Sequence, residues 1–127
     1  MIEDTYSRRV IGHAMNVHRT FGPGLLESAC EEFLAIELTK AGIPFTRQTP
    51  LAASHMGITA EIAYRVDMLV GDDLVVEIKS VEQILRVHEA QILTYLRLSG
   101  RRVALLLNFN SVLLKHGIKR FINSIAP

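Results

Sequence analysis

The chain has 127 residues, 49% of them hydrophobic and 21% charged, and a net charge of +1. That length holds one domain with a real core and not two, the composition excludes intrinsic disorder, and the near-neutral charge confines any nucleic-acid binding to a local patch. A single cysteine, Cys30, excludes an intrachain disulfide and fits a reducing compartment. No apolar run approaches membrane-spanning length. The first residues, Met1-Ile2-Glu3-Asp4, are acidic without an apolar segment, so no signal peptide is expected and a cytoplasmic location is.

Asp4 or Thr5 can cap a first helix running to about residue 20, with Tyr6, Val10, Ala14 and Val17 as its apolar stripe. Phe21-Gly22-Pro23-Gly24 breaks it. A second helix is expected over about 25–41, with Leu26, Ala29, Cys30, Phe33, Leu34 and Leu38 inward, stopped by Gly42 with Pro44 beyond. From Phe45 the pattern becomes extended. Residues 45–51 suit an edge strand, which tolerates Pro50, and Ser54-His55-Met56-Gly57 reads as a turn. Residues 58–70 and 74–78 carry a hairpin. A third helix covers about 84–98, with Ile84, Val87, Gln91, Tyr95 and Leu98 on one stripe, and ends at Ser99-Gly100. The apolar run 103–109 reads as a buried strand, and 118–122 as a short strand or a helical turn. A helix between two strands predicts a right-handed crossover and a parallel pair. The fold class is α/β, a mixed central sheet flanked by helices, in one domain over 1–127.

The hairpin carries the most information. Its turn is Gly71-Asp72-Asp73 between β-branched runs. Centred on Asp72, it pairs Val70 with Leu74, Met68 with Val76, and Asp67 with Glu77. Residues two apart share a face, so Val66, Met68, Val70, Leu74, Val76 and Ile78 line an apolar face. Arg65, Asp67, Leu69, Val75, Glu77 and Lys79 line the other. Two carboxylates then oppose each other, which is destabilising unless a divalent cation with hard oxygen ligands lies between them. A one-residue slip would put them on opposite faces. The plainer alternative is a solvated outer strand face, common in antiparallel sheets.

Asp67, nine residues, and then Glu77-Ile78-Lys79, followed by a helix and a buried strand, resembles the PD-(D/E)XK nuclease superfamily, whose core has this αβββαβ order. Gly24-Leu25-Leu26-Glu27 resembles the start of the motif of the GxxExxY protein family, in which a helical glutamate points at the same site. Gln91-Ile92-Leu93-Thr94-Tyr95 is similar to the QxxxY pattern that follows ExK in RecB-like members. The stretch from His88 through Leu98 and on to Asn108-Phe109-Asn110 resembles the GxxExxY family as well, so the likeness covers about 5–122. In one place the chain departs from it: the tyrosine of GxxExxY falls at Cys30, on an inward stripe where free cysteine packs as a small hydrophobe. A ring or hydroxyl contact is thereby lost, but no metal ligand.

The resemblance implies a restriction-endonuclease-like core and metal-dependent hydrolysis of phosphodiester bonds in DNA or RNA. Asp67 and Glu77 would bind Mg2+ or Mn2+, with the Ile78 carbonyl as a further ligand and Glu27 adding one directly or through water. Lys79 would position the attacking water or stabilise the pentacovalent transition state. Gln91 and Tyr95 would orient Lys79, the water or a phosphate, and Arg65 would bind phosphate. Simpler roles compete: Glu27 suits a helix N-terminus, Gln91 a structural hydrogen bond, Tyr95 the core, and Arg65 a carboxylate partner. The competing function is a catalytically weak or inactive module that binds nucleic acid or assembles with protein, including a homodimer through the first helix or Leu113-Leu114.

Overall fold

A computed structural model describes residues 4–123, so residues 1–3 and the ends of the expected 1–127 domain lie outside the described residues. Helix α1 (Ser7–Phe21) starts where Asp4 accepts the backbone N–H of Ser7 at 2.8 Å and of Tyr6 at 3.2 Å. Asp4, rather than Thr5, therefore satisfies the orphan donors of the first turn. Val10, Ala14 and Val17 are buried, as the periodicity predicts. A single 3-10 turn at Gly22–Gly24 leads to helix α2 (Glu27–Lys40). This helix begins two residues later than expected. Leu26 is the extended flanking residue and is 75% exposed, which corrects its expected inward position. Cys30, Leu34 and Leu38 are buried as expected, joined by Glu31 and Ala35.

Strands β1 (Phe45–His55) and β2 (Ile58–Val70) form a longer hairpin than the sequence predicts. The turn contracts to Met56-Gly57, with φ of 53° and 79°. Two consecutive positive φ values suit a two-residue hairpin, so pairing continues up to His55 and Ile58. The outer half of this ribbon is exposed, including Met56, Ile58 and Ile62. Strand β3 (Leu74–Lys79) pairs antiparallel with β2 as Val70 with Leu74 and Met68 with Val76, the register centred on Asp72. Helix α3 (Arg86–Ser99) then crosses to β4 (Val103–Asn108), which lies parallel to β3 from Leu74 opposite Val103 to Lys79 opposite Asn108. The segment 118–122 is a strand, β5 (Ile118–Ile122), antiparallel to β4. Among the described residues the sheet has the order β1-β2-β3-β4-β5, with helices on both faces.

Two apolar layers result. Val10, Ala14, Leu34 and Leu38 of α1 and α2 pack on Met68, Val70, Val76 and Leu105. On the opposite face Ile92, Tyr95 and Leu96 of α3 pack on Val75, Ala104 and Leu106. Val66 belongs to this second layer and not to the Met68 face, a correction to the simple alternation. The change of phase falls at Asp67, opposite Gln48, where the β1–β2 ladder lacks a pair and Gln48 has φ +48°.

The α3 stripe also differs from expectation. Ile92, Tyr95 and Leu96 are buried, whereas Val87 is 65% exposed and Leu98 is at the surface. At 100° per residue, Gln91 lies about 90° from the centre of the buried face, on its flank. The apolar stripe of α1 and Leu114 are buried in this chain's own core and supply no dimer surface, whereas Leu113 is 52% exposed.

Candidate active site

The short turn after Val70 delivers Asp67 and Glu77 to the same end of the sheet. The ladder between β2 and β3 ends at Met68 and Val76. Beyond it Asp67 takes over with its side chain: Oδ2 accepts the Ile78 N–H at 2.8 Å. Glu77 sits on the face covered by α3 and is only 4% exposed, so the solvated outer face does not describe it. Its Oε1 is buried and has no hydrogen-bond partner. Lys79 Nζ lies 3.6 Å from its Oε2.

These surroundings work against the Glu77 anion. Burial, and then the Asp67 charge, push its carboxyl up to about 8, and Lys79 offsets only part of that. Tyr95 feels the same field. Burial first, then Glu77 and Asp67, hold its phenol well above the usual range, so it stays protonated. Its ring packs edge-on to Tyr64 with centroids 5.6 Å apart. Tyr95 is thus buried behind the carboxylates.

Glu27 opens α2, and its Oε2 accepts the Ser80 N–H at 3.1 Å, tying the segment after Lys79 to the helix. A cleft of about 430 Å³ brings Glu27 together with Ser28, Glu31, Arg47, Gln48 and Asp67. Glu77, Lys79, Gln91 and Tyr95 do not line it, so of the expected site residues the cleft joins Glu27 and Asp67 alone. Gln91 is half-buried on the flank of α3, and Arg65 is exposed on β2. His88 caps α3, its Nδ1 accepting the Leu85 N–H at 2.9 Å.

Three contributors are given no site role by the sequence. Glu31, 6% exposed, accepts Arg47 Nε at 2.9 Å and Gln48 Nε2 at 2.7 Å. The one hint is its position four residues after Glu27, on the same helix face. Gln48 Nε2 also donates to Asp67 Oδ1 at 3.2 Å. Asn108 is buried and clamps Val81, accepting its N–H at 3.1 Å and donating to its carbonyl at 2.9 Å. It thereby holds the chain just past Lys79.

Among the described residues no three acidic, histidine or cysteine side chains form a ready-made metal cage. The donors nevertheless suit a hard divalent cation. Glu77 offers an orphaned buried oxygen beside a second carboxylate. Mg2+ in particular is held by one or two carboxylates, with water and substrate phosphate completing its shell.

A family profile described as the PD-(D/E)XK nuclease superfamily matches residues 4–121. No curated protein matches, and no solved structure does.

Proposed function

The chain belongs to the PD-(D/E)XK nuclease superfamily, and on that premise we propose that it is a metal-dependent nuclease hydrolysing phosphodiester bonds in DNA or RNA. The observation that carries this reading is the orphaned Glu77 Oε1, buried beside Asp67 and within 3.6 Å reach of Lys79 through the same carboxylate. Asp67 and Glu77 would hold Mg2+ or Mn2+, with the Ile78 carbonyl and, through water, Glu27 as further donors. When bound, the ion neutralises phosphate charge and makes water a better nucleophile.

Lys79, with its side chain 17% exposed, places Nζ beside the Glu77 carboxylate. There it positions the attacking water or stabilises the charge that develops on phosphorus oxygens. Gln91, whose side chain makes no hydrogen bond among the described residues, is available to orient that water or a phosphate oxygen from the helix flank. Tyr95 contributes from behind, as a neutral phenol that keeps water from the inner side of Glu77. Arg65, exposed on β2, supplies a phosphate contact. The GxxExxY family is the branch this site fits, through Glu27, and the buried lone Cys30 suits a cytoplasmic location.

Lys79→Ala tests the reading. It should abolish divalent-dependent cleavage of single- and double-stranded DNA and RNA while leaving the circular-dichroism spectrum and cooperative melt intact. Cleavage that survives the change refutes the assignment. A second reading, a nucleic-acid-binding or homodimeric assembly module without turnover, is favoured by the exposed Met56, Ile58 and Ile62 on the β1–β2 ribbon. It predicts a concentration-dependent dimer in light scattering, or salt-sensitive nucleic-acid binding without cleavage.

A further inference from the structure

Gln48 has φ +48°, yet it lies inside β1 and not in a turn. Side chains alternate along a strand, so Arg47 and Gln48 should point to opposite faces. Both instead reach Glu31 on α2, at 2.9 and 2.7 Å. The left-handed backbone at Gln48 is what turns its side chain to the Arg47 side. The same turn brings Thr46 and Thr49, three residues apart, into hydroxyl contact at 2.6 Å. Backbone strain of this kind clusters at functional sites and persists only where the surroundings enforce it. Here the Gln48 side chain is held by the buried Glu31 carboxylate.

The Gln48 amide nitrogen faces two carboxylates, Glu31 Oε1 and Asp67 Oδ1. Carboxylates only accept, so this orientation of the amide follows from chemistry, and its two protons match its two acceptors. Asp67 then has one donor on each oxygen, Gln48 on Oδ1 and the Ile78 N–H on Oδ2. The carboxylate cannot rotate without breaking both bonds. We propose that Gln48 is a positioning residue that, braced by Glu31, fixes the Asp67 carboxylate in the orientation that takes a divalent cation. The cation half of this proposal rests on Asp67 being a metal ligand, as read above.

The test uses Gln48→Met, which keeps the bulk and loses the donor, and Gln48→Gly, which accepts the left-handed backbone without strain and so folds. Three-bond couplings in metal-free protein report the Asp67 χ1 rotamer, and calorimetric titration with Mn2+ reports affinity. Wild type should show one rotamer. Both variants should average over several and bind Mn2+ at least about tenfold more weakly, as for other outer-shell partners of metal ligands. An Asp67 that stays locked in both variants overturns the proposal, as does an unchanged Mn2+ affinity once Asp67 is released. If wild type itself binds no Mn2+ while both variants still release Asp67, Gln48 is upheld as the residue that sets Asp67 and the metal reading alone fails.

Discussion

Replacing Glu77 by glutamine keeps the shape of the side chain and removes its titration. In the folded protein the Glu77 carboxyl is pushed from 4.5 up to about 8. Between those values the folded chain holds a proton that the unfolded chain has released. The stabilisation linked to that proton is full below pH 4.5 and disappears as pH rises through about 8. Each pH unit over which the two states differ by one proton is worth ~1.4 kcal/mol. The loss is then about 3 kcal/mol by pH 7 and on the order of 5 kcal/mol above pH 9. With 6% of the side chain exposed, solvent screens little of this. Urea unfolding of wild type and Glu77→Gln in EDTA, from pH 5 to pH 9.5, reads the effect as a difference between two profiles. Other titrating groups, such as Asp4 and Glu37, cancel in that difference. The variant should gain on wild type by several kcal/mol across the range and level off above pH 9. Parallel profiles would show that Glu77 does not carry a buried, repelled charge, and the argument for a cation site would go with it.

At pH 8 an excess of Mn2+ or Mg2+ should raise the wild-type melting temperature relative to EDTA. At ten times Kd the linkage is about 1.4 kcal/mol, and Asp67→Ala should lose the rise entirely. Burial pushes the Cys30 thiol up to about 11, so a thiol reagent at pH 8 should label the folded protein only as fast as the chain opens. Rapid labelling in native buffer would contradict the packing of α2. A Cβ at Gly117 would fall on the Asn108 carbonyl oxygen and the Ser111 hydroxyl. Gly117→Ala should therefore cost about 1–3 kcal/mol in denaturant unfolding, and an unchanged midpoint would show that the loop after β4 gives way easily.

The register of the β2–β3 hairpin is legible in the sequence because the turn 71–73 is short and both flanking runs are β-branched. A three-residue turn with unbroken apolar faces leaves one way to bury them, and that way brings Asp67 and Glu77 to one end. Strand β4 is legible for a similar reason: buried on both faces, it reads as a continuous apolar run. The rotation of α3 is not legible. Val87, Ile92, Leu93, Leu96 and Leu98 surround the helix with apolar residues, so periodicity alone does not choose the stripe, and the true face is set by Val75 and Ala104 beneath it. The kink at Gln48 has no local signal, since glutamine has no special tolerance of positive φ. Its side chain is held by Glu31, seventeen residues earlier, a contact no local pattern shows. Asn108 appears in sequence as the polar end of an apolar run, and only the parallel pairing with β3 shows that it holds Val81.

The two neighbours of β3 differ in how soon they can reach it. Strand β2 arrives through the turn 71–73, a local contact that forms early and cheaply, whereas β4 must close the whole 80–102 crossover. The carboxylate pair can therefore assemble while still in water, where facing charges repel weakly. The repulsion becomes severe only when α3 settles over Glu77 and excludes solvent. Docking of α3 is then the folding step that alkaline pH opposes. Contact order thus predicts that the acid–base sensitivity of folding falls in the step that docks α3.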